Sequence, residues 1–106
     1  MPGVDDVFSA LSDPTRREVL RSVAQRPELT ASRLAGELPI TRQAVAKHLA
    51  TLDHAGLVER APTSGREVRY RLRDGALGSA SEWLTQTETA WEGRLARLKR
   101  ALESSD

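Results

Sequence analysis

Between Leu57 and Arg73 the apolar residues of this chain change period, and that change restricts the fold more than any other feature. Upstream, apolar side chains recur every three or four residues, as on one face of a helix, whereas Glu67 to Arg73 alternates strictly. Leu57-Val58-Glu59-Arg60 reads as a strand, Pro62-Thr63-Ser64-Gly65 as a turn, and Glu67 to Arg73 as the returning strand. Val68, Tyr70 and Leu72 then share one face and Glu67, Arg69, Arg71 and Arg73 the other, giving a two-stranded hairpin with an arginine-bearing outer face.

The segments before the hairpin are helical. Val4, Val7, Phe8 and Leu11 mark a short first helix. Asp13 is a good N-cap and Pro14 suits the first helical position of the next, which buries Val19, Leu20 and Val23 and ends before Pro27. Thr30 caps a third helix with Leu34 and Leu38 inward, stopped by Pro39. Thr41 caps a fourth, running to about Ala55, with Val45, Leu49 and Leu52 as its buried stripe and Gly56 placed for a left-handed closure. From Asp74 the pattern is helical again, to about Leu102, with Leu84, Trp91, Leu95, Leu98 and Leu102 in one apolar stripe. The expected fold is mainly α with one β-hairpin, in the order α-α-α-α-β-β-α. Helix-turn-helix followed by a hairpin is the winged-helix arrangement.

At 106 residues the chain fits one domain over 1–106, with the helices in 1–12 and 74–102 left over from the helix-turn-helix core. Aromatic content of 4% leaves the core to Leu, Val and Ala, which favours helices over a β-sandwich. The absence of cysteine excludes disulfides and thiolate metal sites. No apolar run approaches a membrane span and no signal segment opens the chain, so a cytoplasmic location is expected. The net charge of +1 conceals an asymmetry: residues 1–39 carry −1, residues 40–73 carry +4 and residues 74–106 carry −2. A basic middle third in a nearly neutral chain is the footprint of a compact DNA binder. No Gly-rich phosphate loop, Gly-x-Ser-x-Gly or His-Glu-x-x-His occurs, so neither an enzyme nor a cofactor is expected.

A helix-turn-helix reads DNA when its second helix presents polar side chains opposite its buried stripe. Here those positions are Arg42, Gln43, Ala46 and Lys47. Gln43 suits adenine, while Arg42 or Lys47 suits guanine or a phosphate. Arg66 at the hairpin tip, with Arg69 and Arg71 along one face, suits phosphates or a narrow minor groove. His48 flanks the buried stripe, either packing or touching phosphate. His54, six residues on, points elsewhere, so the two do not share a metal. The terminal stripe of Leu84, Trp91, Leu95 and Leu98 (with Trp83), joined by Val4, Val7 and Phe8, either covers the core or pairs two copies about a two-fold axis. The second option matches the symmetry of a pseudo-palindromic DNA site. The competing functional class is a winged-helix module that docks acidic protein partners with its arginine face.

Three stretches resemble the ArsR-type transcriptional repressors. Phe8-Ser9-Ala10-Leu11-Ser12-Asp13-Pro14-Thr15-Arg16-Arg17-Glu18-Val19-Leu20 is similar to their opening. Thr41-Arg42-Gln43-Ala44-Val45-Ala46-Lys47-His48-Leu49, then Leu52 and Ala55-Gly56-Leu57-Val58, is similar to their recognition-helix segment, and Gly65-Arg66-Glu67-Val68-Arg69-Tyr70-Arg71-Leu72 to their wing. The resemblance implies a winged-helix homodimer, paired through its first and last helices, that represses its own or a neighbouring promoter. It also places Gln43, Ala46, Lys47 and His48 at DNA-contacting positions and Arg66 in the wing. Ala46 departs from the pattern, where serine is common, and removes one hydroxyl contact. Metal-responsive members carry cysteines before the recognition helix or His/Asp/Glu sets on the last helix. Leu34-Ala35-Gly36-Glu37-Leu38-Pro39 has no cysteine and the last helix no histidine, so no metal site is expected. The tail is more similar to a cysteine-free subgroup often encoded beside small START-like ligand-binding proteins, which leaves an effector or a protein partner as the source of the release signal.

Overall fold

Three of the helices start at polar caps. In the computed structural model, which describes residues 3–26, 29–62 and 67–104, α1 spans Val4–Ala10, α2 Pro14–Gln25, α3 Ala31–Glu37 and α4 Arg42–His54. Asp13 accepts from the Arg16 amide, Thr30 from that of Arg33 and Thr41 from that of Ala44, each at 3.1 Å. These bonds satisfy amides that a first helical turn leaves without partners. At the other end of α4, Gly56 takes φ 78°. Its amide donates to the Asp53 carbonyl and the Leu57 amide to that of Leu52, both at 2.9 Å. That paired closure needs a left-handed residue, which glycine adopts without a Cβ clash.

The Asp13 cap makes stability pH-dependent. The Arg16 amide bond holds its carboxyl below the ordinary 3.8; burial opposes this, while the Thr15 amide, His48 and Arg16 assist. A carboxyl held low in the folded state stabilises above its unfolded value and loses that contribution as pH falls through the folded one. We expect D13N, which keeps a capping oxygen but no charge, to lose less stability than wild type below about pH 4. Urea midpoints measured across pH check this; parallel acid limbs would refute it.

The hairpin consists of β2 (Val58–Ala61) and β3 (Arg69–Leu72), in antiparallel register with Val58 opposite Leu72 and Glu59 opposite Arg71. Among the described residues the sheet has three strands, not the expected two. β1 (Leu29–Thr30) pairs with the other edge of β3, Leu29 opposite Tyr70 and Thr30 opposite Arg69, so the order is β1-β3-β2. Two residues are too few to leave an alternation in sequence, and only the return of β3 gives them a partner. Regular pairing in β3 also starts later than expected, at Arg69. The last helix, α5, runs Gly78–Ser104 instead of starting near Asp74. The delay follows from Gly75, at φ 69°, which closes a turn before the helix.

The core lies where α2, α3 and α4 meet the sheet. Val19, Leu34, Val45, Leu49, Leu52, Leu57 and Val58 are completely buried there, each stabilising by roughly 1.5–3 kcal/mol. Among the described residues of α5 only Ala80 is buried. The rest of that helix, about 40 Å at 27 residues, extends from the body, and the molecule measures 73 × 27 × 20 Å. Its anchor is an edge-to-face contact of Trp83 with Phe8 of α1, centroids 5.4 Å apart. Val7, expected at a contact between copies, is 3% exposed. Its position on the inner face of α1 commits it to the protomer's own core.

Candidate nucleic-acid interface

The buried stripe of α4 determines what the helix presents. With Val45, Leu49 and Leu52 turned inward, Arg42, Gln43, Ala46 and Lys47 of its first two turns are exposed. Thr41, also exposed, uses its hydroxyl oxygen as the cap. That acceptor role leaves the hydroxyl proton for an outside acceptor. The helix N-terminus adds a partial positive charge to the same end.

The sheet sets the hairpin beside this end of α4. Arg42 and Ala46 form one wall of an open cleft, and Glu67, Val68 and Tyr70 of the hairpin form another. Ala46 lies within that cleft, where a small side chain leaves room between helix and wing. Arg69 and Arg71 share a face of β3, as the alternation requires, and both are exposed. They differ electrostatically. The Arg71 Nε donates to the Glu59 carboxylate directly across the ladder at 3.0 Å, so a passing phosphate meets a partly compensated guanidinium. Arg69 faces the notch between β3 and the start of α3, lined also by Ser32, Arg33 and the carboxylate-bearing Glu67, and Arg69 forms no ion pair among the described residues. Arg66, expected at the hairpin tip, lies outside the described residues.

His48 is half-buried and its Nδ1 accepts from the Arg16 Nε of α2 at 3.4 Å. His54 is exposed in the last turn of α4. Among the described residues no three His, Cys, Asp or Glu side chains gather into a metal-binding group, and no helix is long and apolar enough to cross a membrane.

Sequence reasoning missed Arg33, Tyr70 and Arg16. Arg33 reaches the notch that Arg69 and Glu67 line because Thr30 pairs with Arg69, a juxtaposition made by a two-residue strand. Tyr70 packs partly buried against the core, as its place opposite the arginine face predicts, and it also lines the cleft, which the alternation did not reveal. The connection between Arg16 and His48 spans 32 residues of chain and leaves no periodic trace.

Comparison with known proteins agrees with this geometry. The family described as Helix-turn-helix domain matches residues 11–61, from the loop before α2 to the end of β2. The solved structure of an ArsR-like transcriptional regulator from Rhodococcus sp. RHA1 superposes with a TM-score of 0.82 at 42% identity, covering 95% of this chain and 93% of that one. The uncharacterized HTH-type transcriptional regulator YuzN of Bacillus subtilis is 46% identical over 74 residues, 64% of this chain and 76% of the relative. The HTH-type transcriptional regulator Rv2034 of Mycobacterium tuberculosis is 33% identical over 100 residues, 94% of this chain and 89% of the relative.

Proposed function

Since this chain belongs to the ArsR family of DNA-binding helix-turn-helix transcriptional regulators, we propose that it represses transcription by binding a pseudo-palindromic operator as a homodimer. The observation that carries the reading is the exposed polar end of α4, braced by a fully buried stripe and set beside an arginine-bearing hairpin. In each half-site the start of α4 enters the major groove. Gln43 and Arg42 contact base edges there, and Lys47 a phosphate. Thr41 contributes its hydroxyl, and Ala46 allows close approach. Arg66, Arg69 and Arg71 of the wing add contacts that set affinity more than sequence.

The two-fold axis in this reading runs beside α1 and α5, with 1–12 and 74–102 as the dimerisation segments. Leu84, Trp91, Leu95 and Leu98 are 53–57% exposed in the protomer. A row of large apolar side chains this open normally marks a contact surface. Val4 and Phe8 border it from α1. A dimer holding its operator occludes RNA polymerase in the cytoplasm, where bacterial chromosomes lie. Release by an effector or a partner protein belongs to the same reading, in line with a chain whose lack of cysteine offers no thiolate to a metal.

Fluorescence anisotropy on DNA upstream of the protein's own gene, against scrambled duplex and across a salt series, tests the reading. Tight binding with two protomers per preferred duplex is the expected result; weak and equal binding to both would count against it. In the same assay K47A should bind more weakly, with the salt slope reduced by about 0.9, one phosphate's worth of released counterion. An unchanged slope would remove Lys47 from the phosphate contacts.

A further inference from the structure

Arg16 belongs to α2, outside the surface made by α4 and the hairpin, yet its guanidinium touches both α4 and α1. Nε donates to His48 Nδ1 at 3.4 Å, and Nη1 donates to the Ala10 carbonyl, in the last residue of α1, at 3.3 Å. A single planar fork therefore spans the end of α1 and the middle of α4. Both Arg16 and His48 are half-buried, which restricts other rotamers and keeps water from replacing the contact freely. Arginine remains protonated and only donates, so His48 Nδ1 must be the acceptor and the neutral ring's proton must sit on Nε2. Among the described residues no acceptor meets that Nε2–H. His48 follows the exposed Lys47 directly and lies one turn beyond Ala44, at the edge of the polar end of α4.

We propose that Arg16 is a positioning residue of the DNA-binding surface, holding His48 in the Nε2–H tautomer so that the ring donates to a DNA phosphate. The proposal rests on the reading that α4 faces DNA. Arg16 itself does not meet the nucleic acid. Its attachment to Ala10 also ties the orientation of this donor to α1. A neutral imidazole releases no counterion, so its contact adds affinity that salt does not screen away, unlike that of Lys47.

Two readouts on the full-length protein test this. In histidine ¹⁵N NMR of the free protein, at a pH where the ring is neutral, His48 should show protonated Nε2 and unprotonated Nδ1. R16Q should give a mixture of tautomers, as should R16K, which keeps the cation without the fork and serves if R16Q folds poorly. In the anisotropy assay R16Q should bind preferred duplex about three- to tenfold more weakly, the range of one lost hydrogen bond. Its salt slope should be unchanged, and R16Q/H48A should bind within about twofold of H48A, since Arg16 acts through the histidine. A wild-type ring protonated at Nδ1 overturns the proposal. So does a double variant showing fully additive losses with a slope smaller by about 0.9, the signature of direct phosphate contact by Arg16. Wild type that prefers no duplex would fail the DNA reading and this proposal together, whereas normal binding by R16Q in an otherwise duplex-selective protein would fail this proposal alone.

Discussion

The double variant L95E/L98E is expected to be a folded monomer that binds operator DNA at least about 100-fold more weakly than wild type. Leu95 and Leu98 are 57% and 56% exposed in the protomer and lie one turn apart on α5, beyond its contact with α1. Burying them against a second copy removes apolar surface from water; carboxylates at the same positions would have to be desolvated next to their symmetry mates. The protomer itself does not need these leucines. The described part of α5 contributes only Ala80 to the core, and glutamate is a good helix former at exposed positions. Operator binding falls because one recognition helix then engages one half-site, and the gain of about 10²–10⁴ from linking two such contacts disappears. Light scattering after size exclusion, with anisotropy on the same samples, makes the comparison. A variant that remains dimeric would move the subunit contact away from this part of α5.

Leu49→Ala is expected to lower the free energy of unfolding by about 3 kcal/mol, within the 2–5 kcal/mol range of fully buried leucine truncations. Leu49 is completely buried on the inner face of α4, in the cluster that includes Val19, Leu34 and Leu57. The neighbours belong to several elements, and their backbones do not shift together to fill the space. A loss of that size is a large part of the 5–15 kcal/mol holding an ordinary domain together. It also loosens the helix that carries Arg42, Gln43 and Lys47. Urea denaturation at one fixed protein concentration is the appropriate measurement, because the proposed subunit association would make apparent stability concentration-dependent. A change under 1 kcal/mol would mean that the site collapses around alanine and that α4 is less tightly braced than its burial implies.

Much of the fold is written in local pattern. Asp13, Thr30 and Thr41 are residues whose side chains compete for backbone amides, and each caps the helix expected of it. Gly56 follows the last periodic position of α4 and takes the left-handed conformation that glycine tolerates. Strict alternation over Glu67 to Arg73 was enough to locate the hairpin, though regular pairing covers only Arg69–Leu72. The exposed set Arg42, Gln43, Ala46 and Lys47 followed from the inward stripe at Val45, Leu49 and Leu52, because the helical period fixes both faces together.

The remainder depended on which segments meet. Periodicity identifies an apolar face but not what covers it. Val7 and Leu95 look alike as stripe residues, yet one is buried in the protomer and the other lies in the open. Alternation put Arg69 and Arg71 on one face of a strand, but only the ladder register set Glu59 opposite Arg71 and Thr30 opposite Arg69. The fork from Arg16 to Ala10 and His48 exists only because α1, α2 and α4 converge. The sequence by itself determined where helices start and stop, where the hairpin turns and which side of α4 is polar, since each depends on neighbours within a few residues. Tertiary structure alone decided the third strand, the pairing of Arg71 with Glu59 across the wing, and the connection behind His48, because those interactions join residues that the chain keeps far apart.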